Sequence, residues 1–295
     1  MTDNNQWHFN ILLGDDRSEH ALAATALLED LPFAPGTDVT VFRAFAANQS
    51  TDVTLMEEAL NQTCNRLKKK GFHAETELQL GSPAEKFLDF AEKRMPDLIL
   101  IGAKGLRATT GILVGGVAQQ VVEYAPCPVL VVRAPYDGLQ GILLATDGSS
   151  TSRQAVHFLG RLPLPRNARL WVMHVLPPPP IPIPPISPLA RGPMPMPLSE
   201  AEIARRAKEE QDGQALLDGT VEVLKSMGKP AEAILKRGDA ATEIMRTARE
   251  LEADLLICGS RGLSPSMSWK MGSVSRKLVH YSKCSVLVVR NLPPG

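Results

Sequence analysis

The stretch Leu255-Leu256-Ile257-Cys258-Gly259-Ser260-Arg261-Gly262, followed after nine residues by Gly272-Ser273, decides the fold of this chain. Four consecutive apolar residues make a strand that can be buried on both faces, as a parallel sheet requires. The run Val274–His280 after the glycines reads as an amphipathic helix. Between strand and helix, Gly259 can turn sharply without a Cβ, Gly262 admits a close backbone approach, and Gly272-Ser273 sets backbone N–H groups and a hydroxyl at the helix start. A helix N-terminus attracts anions through its dipole and its unpaired donors. The expectation is a phosphate cradle.

A second copy lies upstream. Leu98-Ile99-Leu100-Ile101, Gly102-Ala103-Lys104-Gly105, nine residues and Gly115-Gly116 repeat the pattern at an offset of 157 residues. Pro126–Arg133 matches Lys283–Arg290 at the same offset, whereas Ile11–Ser18 matches Ile142–Ser149 at an offset of 131. The second half therefore carries an insertion of 26 residues. Such a repeat predicts two domains, 1–134 and 141–295, each of a size able to bury its own core.

Within each half the pattern is strand and helix in strict alternation, with the glycine loop before the last helix and strand. In the first half the strands are expected near Phe9–Leu13, Thr37–Phe45, His73–Leu80, Leu98–Ile101 and Val129–Arg133, and helices at Leu22–Glu29, Thr54–Lys70 and Ala84–Met95. Alternation of this kind gives parallel strands with right-handed crossovers. The expected fold is α/β: two tandem, doubly wound, Rossmann-like parallel sheets of five strands each. Ligands of such sheets bind beyond the carboxyl ends of the strands, where the Asp147 turn and the Gly259 loop both lie.

Composition narrows the function. The halves have net charges of −5 and +5, which favours their packing and gives the second half the better field for a polyphosphate. No basic stripe with interleaved aromatics suggests nucleic acid. Cys64, Cys127, Cys258 and Cys284 form no C-x-x-C pair and read as buried thiols of a reducing cytosol. Met1–Asn10 shows no signal pattern, and no apolar run is long enough for a membrane. A cytoplasmic location is expected.

The insertion is proline-rich, with eleven prolines between Pro177 and Pro197. It should run as polyproline II over 177–198 until Ser199-Glu200-Ala201-Glu202, a capping box, starts a long helix toward Met227. It leaves the sheet on the rim of the glycine loop. A spacer, a lid over a ligand and a docking strip for a protein partner are the readings open to it.

These features together resemble the universal stress protein family in a tandem two-domain form. The ATP-binding pattern of that family, glycine, two residues, glycine, nine residues, glycine and Ser/Thr, is met in full by Gly259, Gly262, Gly272 and Ser273. The resemblance implies that Asp147 and the backbone of Val175 hold the adenosine end of a nucleotide. Gly259, Gly262, Gly272, Ser273, Val274 and Ser275 then hold ribose and phosphates. Asp147 also has a competing role as a helix N-cap beside Ser149. The first half keeps Asp16, Gly102, Gly105 and Gly115, but Gly116 replaces the hydroxyl of Ser273, so a weak or vacant site is expected there. Family members commonly dimerise through their last strands, which here implies pairing of Val129–Val132 with Val286–Val289 as an intrachain pseudo-two-fold dimer.

No His, Asp or Glu occurs between Gly259 and Lys277, and the chain lacks the phosphate-lysine P-loop. His174 ends the second strand of its half but reads as a packed residue. Arg261, Lys270 and Arg276 can screen phosphate charge. The expected function is binding of ATP, or of AMP or ADP, with or without Mg²⁺, in a stress or signalling module. Slow ATP hydrolysis and a scaffold that binds no nucleotide are the alternatives, and further pairing of chains as a homodimer stays open.

Overall fold

The computed structural model describes residues 8–46, 52–105, 113–179, 199–263 and 271–290. The first half runs β1 (Asn10–Gly14), α1 (Glu19–Asp30), β2 (Asp38–Phe45), α2 (Val53–Lys69), β3 (His73–Leu80), α3 (Pro83–Arg94), β4 (Leu98–Gly102), α4 (Gly116–Tyr124) and β5 (Val129–Val132). The second repeats it as β6 (Gly141–Ala145), α5 (Ser150–Arg161), β7 (Arg169–Leu176), α6 (Glu200–Ser226), β8 (Glu232–Arg237), α7 (Ala240–Glu250), β9 (Leu255–Gly259), α8 (Ser273–Tyr281) and β10 (Ser285–Val289). Most expected element ends shift by only a residue or two. Helix α1 starts earlier than the apolar pattern did, because Ser18 caps it and accepts from the Ala21 N–H.

Ten strands form one sheet in the order β3-β2-β1-β4-β5-β10-β9-β6-β7-β8. All neighbours are parallel except β5 and β10, which pair antiparallel with Leu130 opposite Leu287. That joint is the intrachain pseudo-two-fold. It turns two apolar edges, each an association hazard when open, into the middle of a continuous sheet. The outer edges β3 and β8 carry Glu75, Glu77, Lys236 and Arg237, the charged residues that blunt free edges.

Because strand residues alternate between faces, two cores result. Ile11, Leu13, Leu130, Ile257 and Leu287 pack with α1, α2, α5 and α6 on one face. Leu12, Val129, Val131, Leu256, Val286 and Val288 pack with α3, α4, α7 and α8 on the other. Both cores cross the joint without a break. An ion pair, Arg276 with Glu123 at 3.5 Å, also spans it.

The insertion divides in two. Helix α6 has 27 residues against 17 in α2, so ten of the added residues extend the helix toward the rim. Ser199 accepts from the Glu202 N–H, as the capping box predicts. The extension is held by charge: Arg237 pairs with Glu209 at 2.7 Å and donates to the Pro177 carbonyl at 3.1 Å. Residues 180–198, and with them most of the expected polyproline stretch, lie outside the described residues.

Candidate functional site

Two rims carry the same construction. Where β9 ends, the Ser260 carbonyl accepts from the Gly272 N–H at 2.8 Å and the loop closes onto the start of α8. Where β4 ends, the Ala103 carbonyl accepts from the Gly115 N–H at 2.7 Å. Gly272 and Gly115 stand as N-caps in extended conformation, and as glycines they place no side chain on the helix donors. The first N–H groups of α8 and α4 therefore face the rim with the positive end of the dipole behind them. Lys270 and the rest of residues 264–270 lie outside the described residues, as does 106–112 of the first loop.

The turn after the first strand of each half locks the loop beside it. Asp147 Oδ1 accepts from the Ser149 N–H at 3.0 Å, and Asp16 Oδ1 from the Ser18 N–H at 3.0 Å. Ser149 itself caps α5, accepting from the Ser152 N–H at 3.2 Å, so the capping role weighed for Asp147 belongs to Ser149. This leaves Asp147 half-buried with Oδ2 turned to Gly262. The hydroxyl of Ser149 donates to the Arg261 carbonyl at 3.3 Å and that of Thr151 does so at 2.5 Å, while Ser18 donates to the Lys104 carbonyl at 2.9 Å. These hydroxyls were missed as site residues, although Ser18 and Ser149 recur at one place in the repeat.

The glycines also meet requirements within the fold itself. None of Gly259, Gly262 and Gly272 has a positive φ. A Cβ on Gly259 would stand 2.6 Å from Thr151 Oγ1 and 2.8 Å from the Ser152 N, so this glycine lets α5 close on the sheet. A Cβ on Gly262 would stand 2.7 Å from Asp147 Oδ2, and one on Gly105 2.5 Å from Asp16 Oδ2. The second glycine of each loop thus makes room for the carboxylate. At Gly116 an added Cβ would meet nothing within 4 Å among the described residues.

Ser273 is the exposed first residue of α8, with half-buried Val274 behind it. Ser275 is buried and its hydroxyl donates back to the Ser260 carbonyl at 2.9 Å, so only its backbone remains for a ligand. Val175 lies at the end of β7, beside the Asp147 turn, which is anchored by the Thr146 N–H donating to the Met173 carbonyl at 2.9 Å. His174 Nδ1 donates to the Thr146 carbonyl at 2.8 Å, a structural pin. Arg276 pairs with Glu123 across the joint at 3.5 Å.

Burial pushes the thiols of Cys127 and Cys258 up to about 12 and that of Cys284 up to about 11, so all three stay protonated near neutrality. Cys284 is partly buried, where a buried thiol was expected. Among the described residues no group of three or more His, Cys, Asp or Glu could hold a metal ion. Nor is any helix among them long and apolar enough to cross a membrane.

The fold, with a glycine-loop rim repeated in each half, defines a tandem protein of one family. The model of the universal stress protein family matches residues 9–133 and again 139–290, and the chain belongs to that family. It is 36% identical over 133 residues to a universal stress protein of Thermus aquaticus, covering 42% of this chain and 97% of that one. Against universal stress protein MJ0531 of Methanocaldococcus jannaschii it is 40% identical over 79 residues, 27% of this chain and 46% of the other. The crystal structure of a universal stress protein from Archaeoglobus fulgidus superposes with a TM-score of 0.65 at 19% identity, covering 96% of this chain and 98% of that chain. That likeness reaches across both halves and fixes the tandem fold.

One local prediction follows from the caps. Ser149→Ala removes the α5 cap and a tie to the Arg261 carbonyl, and should lower stability by about 0.5–2 kcal/mol. Urea unfolding of the single variant measures it; an unchanged midpoint would refute the assigned role.

Proposed function

We propose that the second half binds an adenine nucleotide, ATP or its products ADP and AMP, and that the protein acts through its nucleotide-bound state in a stress response. One observation carries this reading: the N-terminus of α8, with glycine at its N-cap, faces the carboxyl end of the sheet beside the Asp147 carboxylate. An anion-attracting helix end and a carboxylate acceptor, next to each other, match the two ends of a nucleotide. Asp147 and the Val175 backbone hold the adenosine end. Gly259, Gly262 and Gly272 shape the loop, and the Ser273 hydroxyl with the backbone of Val274 and Ser275 binds the phosphates. Any Mg²⁺ is held by phosphates and water, since the described residues offer no carboxylate cage.

The first half repeats the backbone through Asp16, Gly102, Gly105 and Gly115, but at Gly116 supplies no hydroxyl. We assign it the weaker site. A charge-assisted hydrogen bond contributes about 1.5–3 kcal/mol, so Ser273→Ala should weaken the second-half site about tenfold or more. Gly116→Ser should strengthen the first-half site by a similar factor. Calorimetric titration with ATP measures both, and failure of the wild-type chain to take up ATP, ADP or AMP would leave the scaffold reading in its place. No base stands in the described part of the α8 loop, so turnover should fall below about 1 per second, the low end of ordinary enzymes. Ordinary turnover retained through repurification would overturn the non-catalytic reading.

A further inference from the structure

A cavity of about 310 Å³, the low end of small-molecule sites, lies beside the linker that joins the halves. Its walls are the linker from Pro135 to Gly138, the last turns of α7, and the turns that precede β9 and β10. It therefore stands at the amino end of β9, whereas the α8 cradle stands at the carboxyl end. Asp16, Gly102, Gly105 and Gly115 of the first-half cradle are not among its walls either.

The offset of 157 residues lets these walls be compared with the matching turns of the first half. Ser282, Lys283 and Ser285 stand where the first half has Ala125, Pro126 and Pro128. Arg249 stands where it has Glu92, and Glu252 where it has Met95. The first half builds the same helix, turn and strand without these polar groups, so the fold does not require them. Asp254 differs, because its counterpart Asp97 does the same structural work. Asp97 Oδ2 accepts from the Asn10 N–H at 2.8 Å, and Asp254 Oδ2 accepts from the Gln140 and Gly141 N–H groups, each at 2.8 Å.

Arg133 adds a buried charge to the wall. It is 8% exposed, and its Nη2 and Nη1 donate to the carbonyls of Val279 and Leu113, each at 2.7 Å. Its counterpart Arg290 donates to the carbonyls of Val122 at 3.1 Å, Glu123 at 2.7 Å and Ala125 at 3.2 Å. Arg133 Nε and Ser282 Oγ are buried without a partner among the described residues. Arg133 meets neutral carbonyls only, and the exposed Arg249 and Lys283 form no ion pair among the described residues. The same holds for the exposed carboxylates of Asp137 and Glu252. Three cations and two free carboxylates thus line one cavity without neutralising each other.

We propose that this cavity binds a phosphate monoester of a small polyol. A guanidinium or an ammonium only donates hydrogen bonds and a carboxylate only accepts them. A fitting ligand therefore brings an anionic group for Arg249 and Lys283 and hydroxyl donors for Glu252 and Asp137. The excess of cations, with the buried charge of Arg133 behind it, favours a net anion over a zwitterion. A phosphate offers several charged acceptor oxygens and so suits a guanidinium together with an ammonium. The ligand touches linker and second half alike. It does not rest on the nucleotide reading, since the two sites lie at opposite ends of β9.

Calorimetric titration of the intact chain with glycerol 3-phosphate, in saturating ADP to occupy the α8 cradle, tests the assignment. The Kd should be about 1 mM or lower. Arg249→Glu with Lys283→Gln, both at exposed positions, should weaken binding about tenfold or more while the urea midpoint stays. Inorganic phosphate should bind about fivefold more weakly than glycerol 3-phosphate. Glu252→Met, the residue that the first half carries at this turn, should narrow that gap. No uptake of glycerol 3-phosphate up to about 10 mM, or equal uptake by the double variant, would overturn the site. Inorganic phosphate binding as tightly as the ester would remove the polyol, and tighter binding of glutamate, which has an ammonium in place of hydroxyls, would replace the ligand class. If ADP binds nowhere, the nucleotide reading falls, and the double variant still distinguishes this cavity from the cradle.

Discussion

Gly262→Val is expected to raise the Kd of the second-half site for ATP by about 100-fold or more, equivalent to roughly 2.7 kcal/mol. Its Cβ would stand 2.7 Å from Asp147 Oδ2, so either the carboxylate is driven from its seat or the loop lifts away from it. Both groups are assigned to the nucleotide, and neither can serve from the displaced position. Gly262 is exposed at the loop tip, so the fold should be nearly unaffected and the loss confined to binding. Gly116→Ala, at the first residue of α4, is the control, because an added Cβ there meets nothing within 4 Å among the described residues. A Gly262→Val chain that titrates with ATP within threefold of wild type would remove Asp147 from the site.

The largest effect on stability is expected at the joint. Leu287 is fully buried and lies opposite Leu130 in the antiparallel pair. Leu287→Ala loses packing worth about 2–5 kcal/mol. Leu287→Asp adds an unpaired buried carboxylate, at an effective cost of several kcal/mol more. Together these consume most of the roughly 5–15 kcal/mol that holds an ordinary domain, and the Asp variant should not accumulate as folded protein. Since both cores run through the joint, the Ala variant should lower the urea midpoint of both halves in one transition. Two separate transitions, one of them unmoved, would show that the halves fold as independent units.

Much of the architecture was legible because it was written twice. Two apolar strands followed by the same glycine spacing, at one offset, announced the repeat, and the alternation of strand and helix then allowed few topologies. The last strands, apolar on both faces, asked for a partner and found each other. What the sequence concealed is three-dimensional. Gly259 serves the approach of α5 rather than a turn, a need that exists only once Thr151 and Ser152 are in place. Gly262 yields space to Asp147, which lies more than a hundred positions earlier in the chain. Arg133 and Arg290 stood in plain view as the last residues of the repeat, but their acceptors are carbonyls, and carbonyls leave no mark on a sequence. The length of α6 was legible from its capping box at Ser199, but its anchoring was not, since a charged helix start such as Glu200–Glu210 looks the same whether it hangs free or is held by Arg237.

The antiparallel joint has a consequence for evolution and for dilution alike. When two identical chains meet through such an edge, their sites must be identical, and the pair comes apart as concentration falls. Here the partner strand is tethered by the short linker Ala134–Gln140, which keeps its effective concentration high however dilute the solution. The ratio of one half to the other is therefore always one. With the symmetry of the backbone kept and that of the side chains released, position 116 can be glycine while position 273 is serine. A covalent pair can specialise its two seats without losing either, which a pair assembled from copies cannot do.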